Sequence, residues 1–179
     1  ATTEIYTLSL HDALPIFIAQ PAPGITAPSI IVYHLWVDLI HDYQTGLMSW
    51  NHLRQSLQNC SSEAALAQIN AWWFQRAWCA YLLHWDDLAQ WPDPWQLLEE
   101  SRFCSLARGL GIIYTIAMLD RQDIVDAGFF ETDQDNLVQV NNKKYILNWD
   151  AGTIVNINPG TTKNTQHQLT LVEIQQLIG

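Results

Sequence analysis

Residues 104–119, CSLARGLGIIYTIAML, are the most apolar helix-forming stretch of the chain. A helix apolar on every side must be enclosed on every side, so this segment is expected to be the central element. Gly109 and Gly111 interrupt it at about 1 kcal/mol each relative to alanine, a cost best explained by close packing of a neighbour. The chain is long enough to enclose such a helix: of 179 residues, 49% are hydrophobic and only 15% charged, which excludes a disordered polymer.

The segments before the central helix read as helical. Ile31, Leu35, Leu39 and Tyr43 repeat at helical spacing from Ser29, with Gly46 as a stop. Ser49 is expected to cap a short helix through Leu57. Ser61 or Ser62 caps a third helix over 63–78, EAALAQINAWWFQRAW, with Leu66, Ile69, Trp73 and Ala77 on one stripe. An aromatic loop comes next, and Asp93 before Pro94 is a strong helix start, because the carboxylate accepts free N–H groups and proline loses nothing at the first position. Ser101 is expected to cap the next helix, which places Cys104 at its third position.

Beyond the central helix the texture changes. Residues 120–135 carry Asp120, Asp123, Asp126, Glu131, Asp133 and Asp135 and are expected to form a solvated, irregular loop. NLVQV, KKYILNW and TIVNI then read as three short strands, turned at Asn141-Asn142 and at Asp150-Ala151-Gly152. Thr170 and Glu173 form a capping box for a last helix, LVEIQQLI. The pattern is α+β with segregated elements: a helical N-terminal half packed on a cysteine-led central helix, followed by a three-stranded antiparallel meander.

Eighteen acidic against eight basic residues give a net charge of −10, which argues against nucleic acid as a partner. No run approaches the roughly 20 apolar residues of a membrane span, so no membrane partner is expected. Cys60, Cys79 and Cys104 show neither CxxC pairing nor zinc spacing, and an odd count of free thiols fits a reducing compartment. Six of the nine tryptophans fall between Trp72 and Trp95, a density that suits either a thick core or a sticky interface, of which the core is the commoner. Trp91 and Trp95 are expected to plug the core around the cysteine helix.

The first 16 residues, ATTEIYTLSLHDALPI, resemble the conceptual translation of a sequencing-library adapter. Residues 1–28 are therefore expected to be an artefactual or extended segment, and 29–179 a single α+β domain.

For chemistry, the cysteine-led helix is the first candidate, because a helix N-terminus lowers a thiol pKa and a histidine supplies the base. Cys104 would be the nucleophile, with His84 or His167 as base; no histidine occurs between those two. The bland readings are a small buried Cys104, a hydrogen-bonding His84 in LHWDD, and capping or indole-bonding roles for Asp86, Asp87 and Asp93. His34 and His41 share a helix face without a third ligand, and His167 lies in a polar, exposed loop. No metal ligand set and no cofactor are expected.

A cysteine opening a buried helix, followed by DNLVQVNNKKYILNWDAG over 135–152, resembles the transglutaminase-like and papain-like cysteine fold. The resemblance covers residues 93–157. It implies a histidine at the start of the first strand after the cysteine helix, which falls on Asp135 or Asn136. It implies an acid or amide on the next strand, which falls on Asn148, with Asp150 close by. The base is therefore missing, and a carboxylate or amide does not take a thiol proton effectively at neutral pH. The run from Ile69 to Thr115, with its Trp-Trp, His-Trp-Asp-Asp, Asp-Pro-Trp and cysteine-helix segments, and ILNWDAGTIVNI downstream, resemble small proteins of tailed bacteriophages taken as virion or tail-assembly components. These resemblances imply a non-enzymatic structural protein of a virion, made in the host cytoplasm, partnered by other virion proteins or by its own copies. The alternatives are a cysteine-dependent hydrolase or acyltransferase using Cys104 and His84 or His167, and an acidic binding module that meets a basic partner through 120–135.

Overall fold

The computed structural model describes residues 27–100, 102–133, 135–142, 144–150, 153–156 and 167–178, with 27–41, 153, 155 and 156 described as backbone alone. The expectations for residues 1–26, for the side chains of His34 and His41, and for the turn at Ala151-Gly152 lie outside the described residues. The chain divides into two compact units, 1–40 and 41–179. The first is described only as helical backbone from residue 27. The second carries the sheet, the central helix and the candidate site.

Five α-helices and five strands occur among the described residues, an α+β architecture: α1 (Ala27–Ser56), α2 (Ser62–Phe74), α3 (Pro94–Glu99), α4 (Ser105–Leu119), β1 (Gly128–Glu131), β2 (Asn136–Val140), β3 (Tyr145–Asp150), β4 (Thr153–Asn156), β5 (Gln168–Thr170) and α5 (Leu171–Ile178). The two helices expected over 29–57 are one. Gly46 does not stop α1, since its cost of about 1 kcal/mol is small against tertiary packing. Ser49 caps nothing: its hydroxyl accepts the indole N–H of Trp72 at 3.0 Å. In α2, Ser61 is the N-cap and accepts from the N–H of Ala64. The helix ends at Phe74, earlier than its apolar stripe suggests.

The sheet is antiparallel in the order β4-β3-β2-β1-β5. Three of its strands are the expected meander; β1 and β5 are additional. β1 lies inside the acidic stretch expected to be an irregular loop, because Phe129 and Phe130 are both buried, one on each face. Phe129 joins the main core with Val138, Val140, Tyr145 and Leu147, whereas Phe130, Leu137 and Ile146 cluster apart from it. This is the two-residue alternation of a pleated sheet. Asn141 and Asn142, both with positive φ (55° and 56°), turn β2 into β3.

α4 packs against α2, α3, α5 and strands β1 to β3, and its residues 106–116 are all buried. The glycines make that enclosure possible. A Cβ on Gly111 would stand 2.5 Å from the Trp73 ring, and one on Gly109 would stand 2.4 Å from the Phe129 ring. Thr115 accepts the indole N–H groups of both Trp50 and Trp73 at 2.9 Å, and its own hydroxyl donates to Gly111 O. Tyr114 donates to Pro92 O at 2.8 Å, and burial pushes its phenol pKa up, with the charge of Asp93 adding to the shift. The core expectation for the tryptophans holds for Trp73, Trp85 and Trp91, which are buried like Trp50, but not for Trp78 and Trp95, which are 62% and 40% exposed. Trp95 sits at the second position of α3, and its ring meets Trp50 edge-on at 5.8 Å while remaining open to solvent.

Two local signatures take the expected form. Asp93 accepts from the N–H groups of Trp95 and Gln96, and Gln96 accepts in return from the N–H of Asp93, starting α3. Glu173 accepts from the N–H and hydroxyl of Thr170, while Thr170 Oγ1 accepts from the N–H of Glu173, starting α5.

Candidate functional site

Cys104 does not lie inside α4, as a Ser101 cap would require; it is itself the N-cap. Its backbone is extended (φ −77°, ψ 174°) and Sγ accepts from the N–H of Ala107 at 3.4 Å. The chain is held extended just before it, because Phe103 bridges in parallel to Trp78, with Phe103 N–H bonded to Ala77 O and Cys79 N–H bonded to Phe103 O. The cysteine therefore serves in the position where serine or threonine usually satisfies a free helical N–H. Its residue is 3% exposed.

The thiol borders a cavity of about 260 Å3 lined by residues of three regions: His84, Trp85 and their loop neighbours, Cys104 to Leu106 of the helix start, and Glu131, Asn136 and His167 from the sheet side. Both histidines proposed as a base thus reach the same cavity as Cys104. Neither bonds the thiol: among the described residues, the hydrogen bond on Cys104 Sγ is the one from Ala107. His84 Nδ1 is engaged by the Tyr81 hydroxyl, the hydrogen-bonding role expected for it. His167 is 45% exposed in its side chain and stacks on the Trp85 ring (5.7 Å, 21°). Its Nε2 stands 3.8 Å from Glu131 and 3.9 Å from Asp86.

Of the two residues at the position implied for the histidine, Asn136 lines the cavity and Asp135 is turned into a local loop, bonding Thr132 through its backbone. Asn136 Oδ1 accepts the Trp85 indole N–H at 2.5 Å. Of the two at the position implied for the acid, Asn148 is buried and Asp150 is exposed at the strand end. Asn148 Nδ2 donates to Asn136 O at 2.6 Å and to Ser105 O at 2.8 Å, which joins β3, β2 and the first turn of α4. Its backbone is left-handed (φ 66°), at the register shift of β3 against β4 between Ile146 and Asp150. Asparagine tolerates that conformation better than most residues, and the kink aims the amide at the helix. Asn70 of α2 completes the junction, accepting from Asn148 N–H at 3.0 Å and donating to Asp150 O at 2.8 Å.

Comparison with known protein families, curated proteins and solved structures finds no match to this chain.

The arrangement supplies a thiol at a helix start, two amides, Asn136 and Asn148, linked to each other, and two histidines that line the same cavity as the thiol's residue. Asp86 and Asp87, expected to cap helices or bond indoles, do neither: Trp85 bonds Asn136, Trp91 bonds His84 O, and Asp87 precedes a short 3-10 turn without a side-chain cap bond. Among the described residues no cluster of three or more His, Cys, Asp or Glu side chains could hold a metal ion, and no helix is long and apolar enough to cross a membrane. Sequence reasoning passed over Asn70 and Arg108, two buried polar residues whose neighbours lie far away in the chain.

Proposed function

We propose that the chain is a non-enzymatic structural or assembly component of a tailed-bacteriophage virion, built on a papain-like or transglutaminase-like core that retains the thiol and lacks its base. One observation carries the non-enzymatic part. Cys104 Sγ serves as a buried helix cap with no imidazole bonded to it, and Asn136, at the position implied for the base, has its amide oxygen occupied by an indole N–H. An amide has no proton affinity at neutral pH to activate a thiol. The virion part is supported by the likeness of the segments between Ile69 and Thr115 to phage proteins, and its partners are other virion proteins or further copies of the chain.

The second reading is a cysteine hydrolase or acyltransferase with Cys104 as nucleophile and His84 or His167 as base. The shared cavity favours it, since a small movement of either ring would change its distance to the thiol.

Thiol labelling of the folded chain at mildly acidic pH, read by peptide mass, separates the two. The proposal expects Cys104 to stay unmodified until the chain is unfolded. Rapid modification of Cys104 would reveal a stabilised thiolate and overturn the inert-core reading. Peptide mass spectrometry of purified particles then tests the virion assignment, which expects this chain at a fixed ratio to the other particle proteins and fails if the chain is found only in the unassembled lysate.

A further inference from the structure

The parallel bridge of Trp78 with Phe103 has a neighbour one residue on. Cys79 comes directly after Trp78, and Cys104 directly after Phe103, and the N–H of Cys79 donates to Phe103 O at 3.2 Å, so one backbone hydrogen bond joins Cys79 to the residue before Cys104. Neighbouring strands stand roughly 4.8 Å apart, inside the roughly 4.4–6.8 Å between Cα atoms that a disulfide spans. The bridge is a single pair in which Trp78 is 62% exposed and Phe103 is buried, so the closeness of the two cysteines rests on the backbone bonds that tie Phe103 to Ala77 and Cys79. Cys104 is buried and Cys79 is half-buried against the same core.

A second observation converges on the same place. Arg108, one helical turn beyond Cys104, is only 8% exposed, and no ion pair or hydrogen bond to its side chain occurs among the described residues; its Nε is buried without a partner. The guanidinium lies over the Phe74 ring at 4.2 Å. Burial lowers its pKa, and interaction with Cys104 and then Cys79 works in the opposite direction. A buried cation without a counter-ion is costly unless an anion forms beside it, and a thiolate is such an anion.

We infer that Cys79 and Cys104 form a redox-active pair, a site of reversible disulfide formation whose substrate is a low-molecular-weight disulfide and whose charge partner is Arg108. The half-buried Cys79 gives its proton to solvent, and its thiolate attacks the external disulfide. That S–S bond breaks, a mixed disulfide forms on Cys79, and one small thiolate leaves. Cys104 then loses its proton to the leaving thiolate and attacks Cys79 Sγ, which forms the Cys79–Cys104 bond and releases the second small thiol. Two protein thiols give up two electrons and two protons, and the external disulfide takes up both. Cys104 reacts only intramolecularly, so this inference does not depend on the proposed virion role and is compatible with a thiol that external probes do not reach. The product would fasten the segment leaving α2 to the start of α4 and close a loop around Trp85, Trp91 and α3.

The test uses the full chain, folded, treated with oxidised glutathione and quenched with acid. The expected product has lost about 2 mass units, and peptide mapping links Cys79 to Cys104 and leaves Cys60 outside the link. Cys60→Ser should form the same link at an unchanged rate. Cys79→Ser should leave Cys104 as a free thiol, with the far-ultraviolet spectrum of the parent. Arg108→Lys, which keeps the charge, should form the link faster than Arg108→Gln. A stable glutathione adduct on Cys79 without the internal bond, or a link involving Cys60, would overturn the inference, as would full retention of three free thiols.

Discussion

The two ends of α4 are built on opposite plans. Toward its C-terminus the helix is wrapped by aromatic rings, and Thr115 absorbs the N–H groups of two buried indoles. At its N-terminus the neighbours are amides and a thiol: Asn148 reaches Ser105 O and Asn136 O, and Cys104 caps the helix. The first plan tolerates no loss of an acceptor, because the indoles are sealed. The second plan joins β2, β3 and the start of α4 through amide hydrogen bonds, with the thiol as the helix cap.

Thr115→Val should break the comparison most severely. It keeps the shape and leaves two buried N–H groups unpaired at roughly 1–3 kcal/mol each, so about 3 kcal/mol of stability should be lost in denaturant titration. A loss under about 1 kcal/mol would mean that the indoles find other acceptors. Asn148→Asp probes the other end while keeping a residue that tolerates positive φ. Removing the two donated bonds and setting a carboxylate against two carbonyl oxygens should cost about 2 kcal/mol at neutral pH. The introduced carboxyl would have its pKa raised in the folded chain, so the lost stability should return as pH falls through that value and a proton restores a donor. Stability of this variant that is flat from neutral to mildly acidic pH would contradict the junction described.

Gly111→Ala and Gly109→Ala sharpen the contrast along the helix. Each puts a methyl into a ring, and overpacking costs roughly 1–3 kcal/mol, partly offset by about 1 kcal/mol of helix propensity. The Gly111 change should cost more, since Trp73 is held by its bond to Thr115 and by edge contacts with Trp50, Trp72 and Phe103. Equal melting temperatures for the two variants would show that the rings yield alike. Cys104→Ser should have the smallest effect, within about 1 kcal/mol, because serine is a better N-cap than most residues. A larger loss would mean that the sulfur contributes through packing.

The candidate site was partly legible in the sequence. Cys104 stood out because it opens the most apolar helix, and the strand rhythm over 135–152 directed attention to Asn136 and Asn148. Cys104 as cap rather than third residue was not legible, since it depends on Phe103 being held extended by Ala77 and Cys79, far upstream in the chain. The pairing of Cys79 with Cys104 was hidden for the same reason. β1 was concealed by its charges: six acidic residues between 120 and 135 suggested a loop, and only sheet neighbours on both sides gave Phe129 and Phe130 somewhere to be buried.

The sequence alone determined the features whose partners lie within a turn: the Asp93–Gln96 and Thr170–Glu173 boxes, a serine cap at Ser61 or Ser62, the Asn141-Asn142 turn and the apolar character of α4. Sterics and hydrogen bonds at such separations act before the rest of the chain arrives. The tertiary structure decided the unbroken α1, the five-stranded sheet, the amide junction at Asn148 and the placing of Cys79 against Phe103. In each of these the free energy comes from burial against residues far along the chain, which no local pattern encodes.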